Sequence, residues 1–157
     1  MYGQAAGRQT LTIEQALEIY QRAARLPGVT ICGVDCHIGS QITSLQPFLD
    51  ALEAVLQLVD RLRAAGVGID HLDLGGGLGI PYRESDDPAA YHPDRYAEIV
   101  RRHAGKLGCK LVFEPGRLLV GNAGILVTEV IYVKHGEGKQ FIIVDAAMND
   151  LIRPTLY

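Results

Sequence analysis

The sequence predicts an α/β fold of repeated strand–loop–helix units that turns β-rich near its end, and three observations carry that prediction. Short apolar or β-branched runs at 29–35, 69–74 and 110–113 alternate with segments of helical period, one unit about every forty residues. Each connection is long enough to hold a crossover helix, so the three strands run parallel and the loops that follow them open on one edge. After residue 120 the alternation stops. The β-rich runs 125–133 and 141–144 follow one another with only the turn-like 134–139 between them.

Taken in order, Thr12 with Gln15 three residues later forms a capping-box pattern. Ile13, Ala16, Leu17, Tyr20 and Ala24 then recur at helical spacing until Pro27-Gly28 ends the run. The strand 29–35 leads directly into Cys36-His37-Ile38-Gly39-Ser40. A second helix starts near Ser44 with Pro47 in its first turn, and Phe48, Leu49, Leu52, Val55, Leu56, Val59 and Leu62 keep one face apolar until Gly66. The strand 69–74 runs into Gly75, Gly76 and Gly77. Residues 81–93, with Pro81, Asp86, Asp87, Pro88 and Pro93, are too long and polar for a simple connection, which makes them a candidate lid or insertion. A third helix is expected at 94–106, and the strand 110–113 ends in Glu114-Pro115-Gly116-Arg117. The final run, 144–157, shows neither a helical nor a strand period.

Composition excludes several function classes. With 48% of its 157 residues hydrophobic and 21% charged, the chain has the balance of one that buries a core. A net charge of −3 and scattered Lys and Arg residues give nucleic acid no electrostatic footprint. Apolar runs are broken by charge or glycine well short of a membrane span, and Met1-Tyr2-Gly3-Gln4 shows no basic-then-apolar signal pattern. A cytoplasmic protein without membrane contact is expected. Cys32, Cys36 and Cys109 are odd in number and lack a C-x-x-C spacing, so buried reduced thiols are expected, with no disulfide and no metal site.

The chemistry-bearing residues fall at the C-terminal ends of the three strands. Gly75, Gly76 and Gly77 lack Cβ atoms, which leaves backbone N–H groups bare to converge on an anion. A tight strand-to-loop turn is the plainer reading. Ile80 occupies the third glycine position of G-x-G-x-x-G and no Lys-Ser/Thr pair follows, so neither a dinucleotide fingerprint nor a P-loop is present. His37 is either a hydrogen-bonded structural residue or an imidazole that stacks on a flat ligand or donates a proton, and Ser40 offers a hydroxyl to a phosphate. Glu114 and Arg117 lie three apart across a Pro-Gly turn. They form either a surface ion pair or a carboxylate and a guanidinium aimed into one cavity. Arg153 and Tyr157 suit a substrate carboxylate, unless 144–157 is only a connecting loop. Convergence of three such loops on one edge favours the functional reading of each, because in an α/β barrel active sites are built on that edge.

His37-Ile38-Gly39-Ser40-Gln41, Leu72-Asp73-Leu74-Gly75-Gly76-Gly77-Leu78-Gly79, Glu114-Pro115-Gly116-Arg117 and the ending Asn149-Asp150-Leu151-Ile152-Arg153-Pro154-Thr155-Leu156-Tyr157 together resemble the diaminopimelate decarboxylases. These are pyridoxal-phosphate enzymes of the alanine-racemase-like barrel class, related to ornithine decarboxylase, and the resemblance covers essentially residues 12–157. It implies a partial (β/α)8 TIM-type barrel of about three βα units. Residues 1–120 would be the C-terminal part of the cofactor-binding barrel and 121–157 the start of a β-rich domain.

The resemblance also implies pyridoxal 5′-phosphate as cofactor. His37 would stack on its ring, Ser40 with Gly75, Gly76 and Gly77 would hold its phosphate, and Glu114 would face the pyridine nitrogen. Glu114 and His37 are thus the implied catalytic residues. A carboxylate at the ring nitrogen favours the protonated ring, which makes the cofactor an electron sink. Arg117 would sit at phosphate and substrate, and Arg153 with Tyr157 would grip the substrate's carboxylate. The implied reaction is loss of carbon dioxide from meso-2,6-diaminopimelate to give L-lysine, in lysine biosynthesis, by a homodimer. Members of the family carry a Schiff-base lysine and a Cys-Glu segment that reaches across the dimer, and neither has a counterpart here. The expectation is an internal or truncated portion, inactive by itself. The alternative is a non-catalytic module of the same family that binds the cofactor or a partner. Another phosphate-binding barrel, such as a sugar-phosphate isomerase, leaves Arg153 and Tyr157 unexplained.

Overall fold

The computed structural model describes residues 12–156; Tyr157 and residues 1–11 lie outside the described residues. The chain forms two compact units, divided in sequence between Gly121 and Asn122. In the first, α1 (Ile13–Ala23), α2 (Gln46–Ala64), α3 (Pro93–Ala104) and a short α4 (Gly116–Val120) alternate with β1 (Gly33–Asp35), β2 (His71–Asp73) and β3 (Lys110–Val112). The strands make one parallel sheet in the order β1-β2-β3, with Val34, Leu72 and Leu111 side by side across it. Because side chains alternate along a strand, these three share a face. Val34 and Leu72, with Leu111 partly buried beside them, join Ala16 of α1, Val59 and Leu62 of α2, and Val100 and Ala104 of α3 in one core. Leu62, Leu72 and Val59 are its most deeply buried large side chains, and burying each contributes roughly 1.5–3 kcal/mol. The same alternation puts Asp35, Asp73 and Val112 together on the opposite face, at the C-terminal ends of the strands.

The helix ends follow the local chemistry. Thr12 and Gln15 exchange backbone-to-side-chain bonds of 3.0 and 3.2 Å, which completes the expected capping box. The second helix stops at Ala64. Gly66, at φ +80, sends its N–H to Arg63 O, and the Val67 N–H reaches back to Leu62 O, so two orphan carbonyls are satisfied in a Schellman turn. Tyr20 ties α1 to the sheet by donating its hydroxyl to Gly33 O at 2.9 Å.

The structure corrects several expectations. Each strand of the sheet is three residues long, shorter than its apolar run, because only those residues find a ladder partner. Of the apolar residues before β1, Ile31 goes to side-chain packing while Val29 stays exposed. The segment 81–93, read as one long polar candidate lid or insertion, contains a 3-10 turn at Pro88–Tyr91, and its last residue, Pro93, already opens α3. All three cysteines are free, but Cys32 is exposed and the other two only partly covered. Among the described residues no helix is long and apolar enough to cross a membrane.

The second unit holds β4 (Val130–Gly136) and β5 (Lys139–Val144), an antiparallel pair with an irregular register between Val130 and Tyr132. The turn is tighter than 134–139, with only Glu137 and Gly138 between paired residues and Gly138 at φ +74. Residues 125–129, read as strand, precede the pairing. Asp145 fastens the open end of the hairpin by accepting from Thr128 Oγ1 at 2.6 Å and Glu129 N at 2.9 Å, and these bonds hold its carboxyl below the ordinary range. The tail read as lacking period contains a single helical turn, α5 (Arg153–Leu156).

Candidate functional site

Each parallel strand delivers a loop to the same edge, and the ladder of backbone bonds continues into those loops. Cys36 N donates to Asp73 O at 3.0 Å, Leu74 N to Val112 O at 3.0 Å and Glu114 N to Gly75 O at 2.8 Å. Ile42 extends this register by an isolated parallel bridge to Leu78, its N–H on Gly77 O and its carbonyl accepting from Gly79 N. Gln41 sits at φ +56, a left-handed conformation that costs a residue with a Cβ on the order of 1 kcal/mol. Its side-chain amide offsets this by donating to Ile80 O at 2.6 Å and accepting from Ile80 N at 3.2 Å. The first two site loops are thereby clamped together.

The glycine run is demanded by contact between backbones. Gly75 and Gly77 take φ of +64 and +104. A Cβ on Gly75 would lie 2.5 Å from Cys36 O, one on Gly76 would collide with Glu114 O, and one on Gly77 with Gly39 O. The expectation of bare amides is corrected at Gly75, whose N–H donates to Asp73 Oδ1 at 2.8 Å. Gly76 N–H makes only a 3.4 Å approach to His37 Nδ1, and Gly77 N–H has no partner among the described residues. An anion at this loop would therefore meet the amides of Gly76 and Gly77.

His37 Nδ1 lies 4.0 Å from Glu114 Oε2, with both side chains partly open to solvent. Beside them, carboxylate oxygens of Asp35, Asp73 and Glu114 all lie within 4.8 Å of one another. The sheet explains the cluster: Asp35 and Asp73 are register partners, and Glu114 follows Val112, the partner of Asp73, by one strand period. Like charges at this spacing favour a cationic group among them. The sequence reading selected Glu114 and passed over Asp35 and Asp73. The signal available was an aspartate closing two successive strands.

Arg117, in α4, turns away from Glu114, and no ion pair joins them among the described residues. Its Nη2 donates to Ser40 Oγ at 3.1 Å. Its Nη1 donates to the Tyr82 hydroxyl, and the Tyr82 ring centre lies 5.7 Å from the guanidinium carbon. Among the described residues its Nε is buried without a hydrogen-bond partner. Tyr82 belongs to the long polar segment, which is fastened down. Asp86 Oδ2 accepts from Tyr82 N at 2.8 Å and Arg83 N at 3.0 Å, bonds that hold the Asp86 carboxyl below its ordinary range. Asp87 caps the 3-10 turn, and Tyr91 is buried with Phe48 and Leu78. Here the candidate lid is a strap that lays a phenol against Arg117.

Behind this edge the chemistry is quiet. Cys36 lines the layer between sheet and helices with Phe48, Leu52, Leu74 and Tyr96, where burial and then the Asp35 charge push its thiol up. Burial, followed by Cys36 and Asp73, pushes the Tyr96 phenol up to about 12. Neither group ionises near neutral pH. Arg153 opens α5 in the second unit, and Tyr157 lies outside the described residues.

Comparison with known proteins matches the same region. The family model described as "Pyridoxal-dependent decarboxylase, pyridoxal binding domain" covers residues 7–121. A diaminopimelate decarboxylase of Pseudomonas aeruginosa is 56% identical over 147 residues, 94% of this chain and 35% of the relative. A crystal structure from Aquifex aeolicus superposes with a TM-score of 0.80 at 43% identity, covering 92% of this chain and 35% of that one. The diaminopimelate decarboxylase of Helicobacter pylori complexed with L-lysine does so with a TM-score of 0.78 at 35% identity, covering 92% and 36%. This chain thus spans about 35% of the length of the curated relatives it matches. The stretch that matches the family carries all three converging loops, and on that ground the chain belongs to the pyridoxal-dependent decarboxylases, with residues 7–121 matching their pyridoxal-binding domain.

Proposed function

We propose that this chain is part of a diaminopimelate decarboxylase and supplies contacts for the cofactor phosphate, the cofactor ring and the substrate carboxylate. The whole enzyme would release carbon dioxide from meso-2,6-diaminopimelate to give L-lysine, as a cytoplasmic homodimer. The observation that supports this most is the convergence of His37, the glycine run, Glu114 and Arg117 from three strand ends, in a chain 56% identical to a diaminopimelate decarboxylase. In this reading the three βα units, residues 1–120, belong to the C-terminal part of an eight-stranded barrel, and 121–157 open a β-rich domain.

The residues present fit pyridoxal 5′-phosphate. Among the described residues Arg117 Nε is a buried donor lacking an acceptor, the Gly77 amide is open, the Gly76 amide holds only a 3.4 Å bond to His37 Nδ1, and the carboxylate cluster suits a protonated ring. Arg117, Ser40 and the two amides bind the phosphate, while His37 stacks against the ring. Gly75 acts through backbone packing and its tie to Asp73. Once bound, the cofactor supplies a sink for the electron pair left when a carboxylate departs as carbon dioxide. The Glu114 charge keeps a proton at the ring nitrogen, and Arg153 with Tyr157 holds the substrate's carboxylate end.

The test is a chimera in which these 157 residues replace the matching stretch of the Pseudomonas aeruginosa relative. The chimera should form lysine from meso-diaminopimelate, and the isolated chain should form none. A folded chimera that binds cofactor without decarboxylating would overturn the assignment in favour of a non-catalytic module. Robust lysine formation by the isolated chain would overturn the view that it holds only part of the site.

A further inference from the structure

We propose that Tyr82 is a positioning residue: it fixes the Arg117 guanidinium and so sets affinity for the phosphate-bearing form of the ligand. The inference rests on the reading of Arg117 as a phosphate ligand and adds what holds that ligand in place. A guanidinium is a planar fork whose direction matters, and an unrestrained arginine loses rotamer freedom when it binds an anion. Arg117 is restrained at two corners of its fork, by Tyr82 on Nη1 and Ser40 on Nη2, with the Tyr82 ring beside the guanidinium. Those contacts leave Nε as the buried corner without a partner among the described residues.

The restraint forms a closed circuit. Ser40 is followed by Gln41, whose side chain clamps both backbone groups of Ile80. Ile80 is followed by Pro81 and Tyr82, Tyr82 binds Arg117, and Arg117 returns to Ser40. Asp86 closes a turn directly after Tyr82 by accepting from the Tyr82 and Arg83 backbone. Arg117 is therefore held relative to the glycine loop through side chains from two other loops. Removing the Tyr82 hydroxyl opens the circuit at one bond and leaves the glycine loop and its clamp intact.

The experiment measures binding of 4′-deoxypyridoxine 5′-phosphate and of unphosphorylated 4′-deoxypyridoxine to the chimera that carries these 157 residues. Neither probe has an aldehyde, so lysines cannot trap them. The readout is the ratio of the two affinities, which a general loss of structure does not move. Tyr82→Phe keeps the ring and should lower the ratio about fivefold, and Tyr82→Leu about twentyfold, each leaving the unphosphorylated probe unchanged. Arg117→Met should collapse the ratio further. If Arg117→Met collapses it and both Tyr82 variants keep the wild-type ratio, the positioning role is overturned while the phosphate reading stands. Equal weakening of both probes in the Tyr82 variants also overturns it, since Tyr82 would then serve only the fold. If Arg117→Met keeps the wild-type ratio, the phosphate reading falls and the positioning role falls with it.

Discussion

Gly76→Ala tests whether the glycine run exists for backbone contact. Gly75 and Gly77 occupy positive φ, so alanine there would mix conformational strain with crowding, whereas Gly76 does not. At Gly76 the added methyl meets the Glu114 carbonyl oxygen well inside contact distance, the carbonyl carbon at 3.1 Å and Glu114 Cβ at 3.7 Å. Relief requires the glycine loop to draw away from the Glu114 loop, stretching the 2.8 Å bond from Glu114 N to Gly75 O. Overpacking of this kind costs roughly 1–3 kcal/mol. A weakened hydrogen bond adds up to about 1 kcal/mol, and the stiffer unfolded chain returns about 0.4–1 kcal/mol. The expected net loss is about 1–3 kcal/mol. Gly68→Ala is the internal control, since a Cβ there meets nothing within 4 Å among the described residues and its φ is not positive. It should be neutral or stabilising by up to about 1 kcal/mol. Urea unfolding gives both values if the m-values agree. Equal stability of the two variants would refute the backbone-contact account of the run.

Two carboxylates, one in each unit, give further outcomes. In the chimera, Glu114→Gln keeps shape and removes charge, so turnover should fall about a hundredfold, roughly 3 kcal/mol, with the cofactor retained through Arg117 and Ser40. Normal turnover in steady-state kinetics would reduce Glu114 to a partner of His37. In the second unit, bonds donated to Asp145 favour its charged form, so its folded pKa lies below its unfolded one. The ties to Thr128 and Glu129 are therefore fully in place above the unfolded carboxylate value and are lost as pH falls through the lowered folded value. A carbon-13 titration should show that depressed value, and Thr128→Ala should raise it; a titration unmoved by the substitution would refute the assignment.

The parts of the fold legible in the sequence are those fixed by local chemistry. Thr12 and Gln15 announce a helix start because the capping box closes within four residues, and the apolar stripe of α2 is long enough for its period to stand out. Strand ends are not local. Whether 29–32 join a sheet depends on what lies beside them, and the ladder partner of β1 begins only at His71. One-turn helices escape for another reason: Arg153–Leu156 is too short to show any period. The strap was legible as an anomaly of length and polarity, and the bonds to Asp86 and Asp87 close within it, while the burial of Tyr91 against Phe48 and Leu78 needs the positions of α2 and the glycine loop.

The same distinction runs through the site. His37, Glu114 and Arg117 were visible because each follows a strand, and parallel strands must send their loops to one edge. What the sequence could not assign was pairing within that edge. Glu114 and Arg117, three residues apart, suggest an ion pair, yet the chain turns into α4 between them and sends the carboxylate to His37 and the guanidinium to Ser40 and Tyr82. Tyr82 lies 35 residues before its partner and Ser40 lies 77 before it, distances at which spacing carries no signal. Asp35 and Asp73 were the recoverable omission. Once two strands are taken as parallel neighbours, an aspartate closing each must fall beside the other, and a carboxylate one strand period past β3 must join them. The residues that carry charge into this site thus follow from strand order, and those that aim the charge follow only from the folded loops.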